Sequence, residues 1–435
     1  MLKQKSVLIA LSLLFLLGSV IAGCSSDSAD GTGAGDGNSG ESDKGGGSEL
    51  SGEVVVWVHP LADPELIQPV WEQIEKNFMD QYPDVKLDIQ EIPWQNREQK
   101  ILTALSANQG PDIFYTLPDQ TPQFAQQGIL EPITNYVEDA VLNEFTEASI
   151  DTASYEGELY ALPIITTVIS PYYNIDLVKE IGEDPNNLPE TWAELLEWSE
   201  KAKEKGYYGF TFSASNTPNM EFYPWIWQNS GRVIDDEGNI TIDSPEVLEA
   251  YQFINEAYNM GYIHPDVAGE TTQGDEYIAG KTMVQFTSNM FVSNREVEPV
   301  DFEWKLGPIL KQKEQATYGA VGSLGIASNS KNKEAAVEVL KFLTNEESQR
   351  AINEASSYIP TRKSAGDIYD DHEVLSQVVD QVQYIRGGVK DPVARTIIPG
   401  VQAEIQAMLA GDKSPEEAVK ATEQLIEEER QKLGN

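Results

Sequence analysis

Cysteine is nearly missing from this chain: Cys24 is the only one in 435 residues. No disulfide can form within it, and paired-cysteine zinc or redox chemistry is excluded. Histidine is almost as scarce. His59, His264 and His372 are the three, and none falls in an HxH or HExxH spacing. No GxSxG nucleophile elbow occurs. The segment Gly274-Asp-Glu-Tyr-Ile-Ala-Gly280-Lys281-Thr282 imitates a phosphate loop, but five residues separate its glycines where four are needed. Polar Gly269-Glu-Thr-Thr-Gln273 also stands where a buried strand should lead in. Basic residues are few, 30 against 71 acidic ones, and a net charge of −41 repels nucleic acids and polyanions. After Ala22 no apolar run is long enough to cross a bilayer. No enzyme pattern, cofactor or metal is therefore expected. Paired carboxylates for glycoside hydrolysis stay open only because so many acids produce pairs by chance.

What is present begins with a leader. Lys3 and Lys5 precede an uncharged stretch from Val7 that ends Ile21-Ala22-Gly23-Cys24, the form of a signal peptide over 1–23 with a lipid-accepting cysteine behind it. Two acyl chains on Cys24 suffice for stable anchoring, at about 0.8 kcal/mol per buried methylene. Residues 24–51 then carry that cysteine and a Gly/Ser/Asp tether with almost no apolar side chains. Such a flexible coil spans roughly 25–30 Å.

The folded body has alternating strand and helix periodicities. Glu53 to Val58 reads as a buried strand, and Leu66, Ile67, Val70, Trp71, Ile74 and Phe78 recur at helical spacing from about Pro64. Val85 to Ile92 alternates as a strand, Arg97 to Ala107 reads as a helix, and Asp112 to Tyr115 as a third strand. This β-α-β-α-β order predicts an α/β fold with mostly parallel sheets flanked by helices, and the length favours two lobes. Further helices are expected at 191–205, 245–260, 333–343 and 415–432. Asp235-Asp-Glu-Gly-Asn239 looks like a calcium loop but lacks the distal glutamate, so a hairpin turn is expected there. Gly319, Gly322 and Gly325 are read as sites of tight strand packing.

Aromatic residues gather near strand ends and in loops: Trp57, Trp94, Tyr115, Tyr172, Tyr173, Tyr223, Trp225 and Trp227. Each can stack on the apolar face of a sugar ring, burying about 100 Å² for roughly 2–3 kcal/mol. Trp71, Trp192 and Trp198, on helices, are assigned to packing. Asp119, Gln120, Glu270 and Asn289 are candidate hydrogen-bonding partners for hydroxyl groups.

Several ordered segments carry a resemblance: Val54-Val-Val-Trp57, Gly110-Pro-Asp-Ile113, Phe124-Ala-Gln-Gln-Gly-Ile-Leu130 and Gly157-Glu-Leu-Tyr-Ala-Leu-Pro163. They continue with Tyr173-Asn-Ile-Asp-Leu177, Pro189-Glu-Thr-Trp192, Gly280-Lys-Thr-Met283, Ser323-Leu-Gly-Ile-Ala327 and Tyr358-Ile-Pro360. In this order the chain resembles the family 1 extracellular solute-binding proteins of bacterial ABC importers, the maltose-binding-protein-like group. The resemblance implies a two-lobed periplasmic-binding-protein fold of type II, with residues 52–164 plus 316–357 in the first lobe and 165–315 plus 358–435 in the second. Chain crossings are expected near 163–165, 315–318 and 356–361. Ligand contacts fall by the same likeness at Trp57, His59, Trp94, Gln95, Thr116, Asp119, Gln120, Thr167, Tyr223, Trp225, Trp227, Asn289, Met290 and Arg395; Tyr172, from the aromatic set, and Glu270, from the polar set, complete the expected ligand-binding residues. Members that bind maltodextrin commonly have tryptophan where Met290 stands and an aromatic where Ile398 stands. The implied function is capture of a neutral mono- or oligosaccharide by a monomeric, membrane-anchored lipoprotein that delivers it to permease subunits. A cationic solute such as a polyamine is the alternative, since acids and aromatics also cage cations. A secreted carbohydrate-active enzyme or a partner of a membrane sensor are further readings.

Overall fold

The computed structural model describes residues 50–267 and 272–434; the expected leader, Cys24, nearly all of the tether and the candidate Glu270 lie outside the described residues. Among the described residues no helix is long and apolar enough to cross a membrane.

The first lobe starts as its sequence periodicity demands. Strand β1 (Gly52–Val58) buries Val54, Val56 and Val58 on one face. A helix over Pro64–Gln81 follows, capped by Asp63, whose carboxylate accepts from the Glu65 amide at 3.0 Å, with Pro64 at its first position. Its Ile67, Trp71, Ile74 and Phe78 form one buried stripe against β1 and β2 (Val85–Glu91). A helix over Arg97–Ser106 leads to β3 (Ile113–Thr116). Both β2 and β3 run parallel to β1. Asp112 locks this layer: its carboxylate accepts from the Val55 amide (3.0 Å) and the Ser330 hydroxyl (2.6 Å).

A small hairpin of β4 (Ser154–Tyr155) and β5 (Glu158–Leu159) precedes β6 (Ala161–Ile165), after which the chain enters the second lobe. There β7 (Ile169–Asn174), β8 (Tyr208–Phe210), β9 (Thr282–Ser288) and β10 (Trp304–Leu306) form a sheet in the order β10-β7-β9-β8. The helix Trp192–Glu204 on this sheet opens with a capping box between Thr191 and Glu194. Strand β11 (Thr317–Tyr318) returns the chain to β12 (Gly322–Ile326), completing the first sheet as β2-β1-β3-β12-β6. Helices Lys333–Leu343 and Glu346–Ser356 cover that sheet. The chain then crosses again, β13 (Ile385–Arg386) pairs with β11, and helices Ile398–Leu409 and Pro415–Leu433 pack on Pro245–Asn259. Each sheet has its own apolar core, one around Val56, Phe78 and Leu340, the other around Trp225, Phe210 and Ile254.

The expectation of mostly parallel strands holds by direction, with one reversed strand in each sheet: β12 against β2, β1, β3 and β6, and β7 against β8, β9 and β10. The reason is topological: β7 and β12 each enter from the other lobe instead of from a flanking helix, so no helical crossover fixes their direction.

Three segments cross side by side between the lobes. Thr166 and Ile359 exchange both backbone hydrogen bonds (2.8 and 3.0 Å), and Thr167 and Ala320 are joined by two more, one through the Thr167 hydroxyl (3.3 Å each). Beside them Gly322 leaves room for the Tyr115 hydroxyl, which any added Cβ would overlap.

Candidate functional site between the lobes

Ligands of open α/β sheets lie at the carboxyl ends of the parallel strands, which here are Val58, Glu91 and Thr116. Immediately after β1 comes His59, fully buried. Its Nδ1–H donates to the Ile92 carbonyl at 2.9 Å, leaving Nε2 as an acceptor. Burial pushes its pKa down to about 4; the Ile92 bond opposes this, and the Arg97 and Lys100 cations reinforce it. His59 is therefore neutral at pH 7. Its ring stacks on Trp94, centroids 4.2 Å apart, and Tyr115 closes against both edgewise. The Trp94 indole is held by a bond to the Pro60 carbonyl (2.9 Å) and is 38% exposed. The Arg97 guanidinium sits 5.0 Å from its ring centre.

After β3 comes Asp119, which joins the lobes. Its Oδ2 accepts from Arg395 Nη1 at 2.9 Å and from Asn219 Nδ2 at 3.2 Å, both on the second lobe. Glu98 lies 3.6 Å from Arg395 Nε, and Gln120 steadies Glu98 with a 3.5 Å bond while accepting from the Leu117 amide. Gly387 rests on Pro118 and Thr152 of the first lobe so closely that a side chain there would collide with Thr152. Four buried atoms of this region have no partner among the described residues: His59 Nε2, Arg97 Nε, Asp119 Oδ1 and the Tyr223 hydroxyl. An unmet buried polar atom costs about 1–3 kcal/mol, so a set beside an aromatic face is suited to a solute rich in hydroxyl groups.

The remaining sequence candidates lie elsewhere. Trp57 donates to Gln90 (3.1 Å) with Lys100 over its ring, among groups other than those just described. Gln95 is exposed and Met290, the first residue of the helix Met290–Val297, is partly so. Thr116 is buried opposite Ser323, and Thr167 belongs to the crossing strands. Asn289 spends its side chain on the backbone, accepting from the Val168 amide (3.0 Å) and donating to the Ser357 carbonyl (2.7 Å). Tyr172 is corrected to a packing residue: it has no exposed surface and is wedged between Phe291 and Trp304. Trp225 is corrected likewise, because Trp192, Phe210, Phe253 and Phe286 surround it at 5.1–5.9 Å. Trp227, also nearly covered, lines a separate crevice of about 1420 Å³ together with Thr152, Arg232 and Gly387. Sequence reading missed Arg97, Glu98 and Asn219. The first two were absorbed into a helix start, which in fact follows Asn96 directly after the Trp94 loop.

One carboxylate near the Asn219 segment is chemically unusual. Glu221 accepts from the Ser213 amide (3.1 Å) and Asn216 Nδ2 (3.0 Å), yet burial pushes its pKa up to about 7. Because the native form holds its proton to higher pH than the unfolded chain, stability falls as pH rises from about 4.5 to 7. Glu221→Gln, which loses one hydrogen bond but no longer has to ionise, is expected to gain about 2 kcal/mol at pH 8 and nothing at pH 5. Urea melts at the two pH values check this.

Comparison with known proteins fixes the class. The pattern of the bacterial extracellular solute-binding protein family matches residues 62–350. A maltotriose-binding protein of Pyrococcus abyssi is 28% identical over 386 residues, 83% of this chain and 79% of that one. A galactooligosaccharide-binding protein of Bacillus subtilis is 23% identical, covering 80% and 86%. Among solved structures, a cyclic alpha-maltosyl-1,6-maltose binding protein from Arthrobacter globiformis superposes with a TM-score of 0.77 at 20% identity, over 87% of this chain and 99% of that one. The fold is thus the two-lobed maltose-binding-protein-like one. With its own family pattern spanning most of the folded body, this chain belongs to the bacterial extracellular solute-binding proteins.

Proposed function

We propose that this protein is the sugar-binding lipoprotein of an ABC importer, capturing a mono- or oligosaccharide between its lobes and passing it unchanged to the permease subunits. The observation that carries the reading is the set of unpartnered buried atoms, His59 Nε2 and Asp119 Oδ1 among them, beside the half-open face of Trp94. A sugar supplies the missing hydroxyl partners and the flat C–H surface together. The relatives named for maltotriose and galactooligosaccharide support the same solute class. A cationic solute fits less well, because the Arg97 and Arg395 guanidinium groups both stand at the site. In this reading Cys24 carries the lipid that keeps a monomeric receptor on the outer face of the cell membrane, residues 24–51 are its tether, and the three crossings divide lobes at 52–164 plus 316–357 and 165–315 plus 358–435. Only a solute touching both lobes favours the closed arrangement.

A thermal-shift screen over maltotriose, galactooligosaccharides and amines tests the assignment, since a ligand at 100 times its Kd adds about 2.7 kcal/mol to stability. At least one sugar is expected to stabilise the protein; a response to amines alone would overturn the sugar reading. Trp94→Ala is expected to weaken binding of that sugar roughly tenfold while leaving the melting curve in place, as its ring is a contact surface and not core.

A further inference from the structure

The geometry points to an acidic sugar, one bearing a carboxylate such as a uronic acid residue, with Arg97 as the group that receives that carboxylate. This deepens the sugar reading above and rests on it. From the sequence, Arg395 alone of the expected contacts is basic, which favours a neutral ligand; the structure changes the count by bringing Arg97 into the same place. The two guanidinium groups are treated differently by the chain. Arg395 is matched twice, by Asp119 at 2.9 Å and Glu98 at 3.6 Å. Arg97 lies over Trp94 with its Nε buried and without an acceptor, and no carboxylate among the described residues is within ion-pair distance of it.

A cation drawn into a closing cleft needs an anion there, because its water is removed as the lobes meet. Hydroxyl groups answer that need in part. A carboxylate answers it fully, through two parallel bonds to the planar fork. The surroundings favour the same choice. Asp119, an anion close enough to Arg97 to act on it electrostatically, is already matched by Arg395, and His59 is uncharged with an acceptor free for a sugar hydroxyl. At the site itself the guanidinium groups of Arg97 and Arg395 stand with the carboxylates of Asp119 and Glu98. In a chain of net charge −41 such a two-against-two balance makes this place far less negative than the whole.

Calorimetric titration of the full-length protein with a matched panel tests the assignment: maltotriose, cellotriose and galactotriose against trigalacturonate and a glucuronate-substituted xylotriose. The tightest ligand is expected to carry a carboxylate, to weaken about tenfold or more as salt rises or in Arg97→Gln, and to lose little less in Arg97→Lys, which keeps charge without the fork. Neutral members are expected to change less than about threefold in Arg97→Gln. If the tightest ligand is neutral, or the acidic one binds Arg97→Gln as well as wild type, the inference is overturned and the sugar receptor stands. If no member of the panel and no sugar in the broader screen binds, the receptor reading itself falls. Should Arg97→Gln not fold, the wild-type ranking still decides.

Discussion

Trp225→Ala is expected to destabilise the second lobe by about 3–5 kcal/mol, the usual cost of emptying an aromatic site in a closed core. The indole is 4% exposed, its Nε1–H donates to the Glu221 carbonyl at 2.9 Å, and four aromatic rings pack around it. A small cavity already borders it, lined by Met220, Glu221 and Phe286, so relaxation around the hole would be poor. Denaturant melts should show an earlier transition, in contrast to Trp94→Ala. A Trp225→Ala protein of wild-type stability that no longer binds sugar would return this residue to the ligand.

Asp119→Ala should have its largest effect on affinity. Removing one partner of a buried ion pair costs about 3–5 kcal/mol, but Arg395 is 30% exposed and keeps Glu98 nearby, so about 2–3 kcal/mol is expected. That corresponds to sugar binding roughly 30 to 150 times weaker. The same change deletes the bond to Asn219 and with it one of the contacts that join the lobes on this side. Small-angle scattering of the variant should report a larger radius of gyration than wild type. Unchanged affinity and scattering would show that the contact is incidental.

Local rules made much of this molecule readable. The stripe Ile67, Trp71, Ile74 and Phe78, the Asp63 cap and the Thr191–Glu194 box are short-range patterns, and the elements they announce are present. Asp235 to Asn239 likewise forms a turn, closed by a bridge between Ile234 and Ile240. Burial of individual rings was not readable. Trp94 and Trp225 both sit in loop-like or short helical segments, and only the long-range fold makes one a half-open face and the other core. Nor could sequence join Asp119 to Arg395 across 276 positions, or reveal that Arg97 at a helix start turns toward them. Such pairings depend on how two sheets meet, which neither propensity nor periodicity encodes.

The Asn289 side chain, in holding Val168 to Ser357, has a mechanical effect. Together with the Thr166–Ile359 and Thr167–Ala320 bonds it laces all three connecting strands into a single flexure. Slippage of one strand past another would break several bonds at once, whereas bending the laced band breaks none. Opening and shutting should accordingly occur as rotation of two stiff jaws about one shared axis, and the amides in that band should exchange with solvent as a group instead of singly.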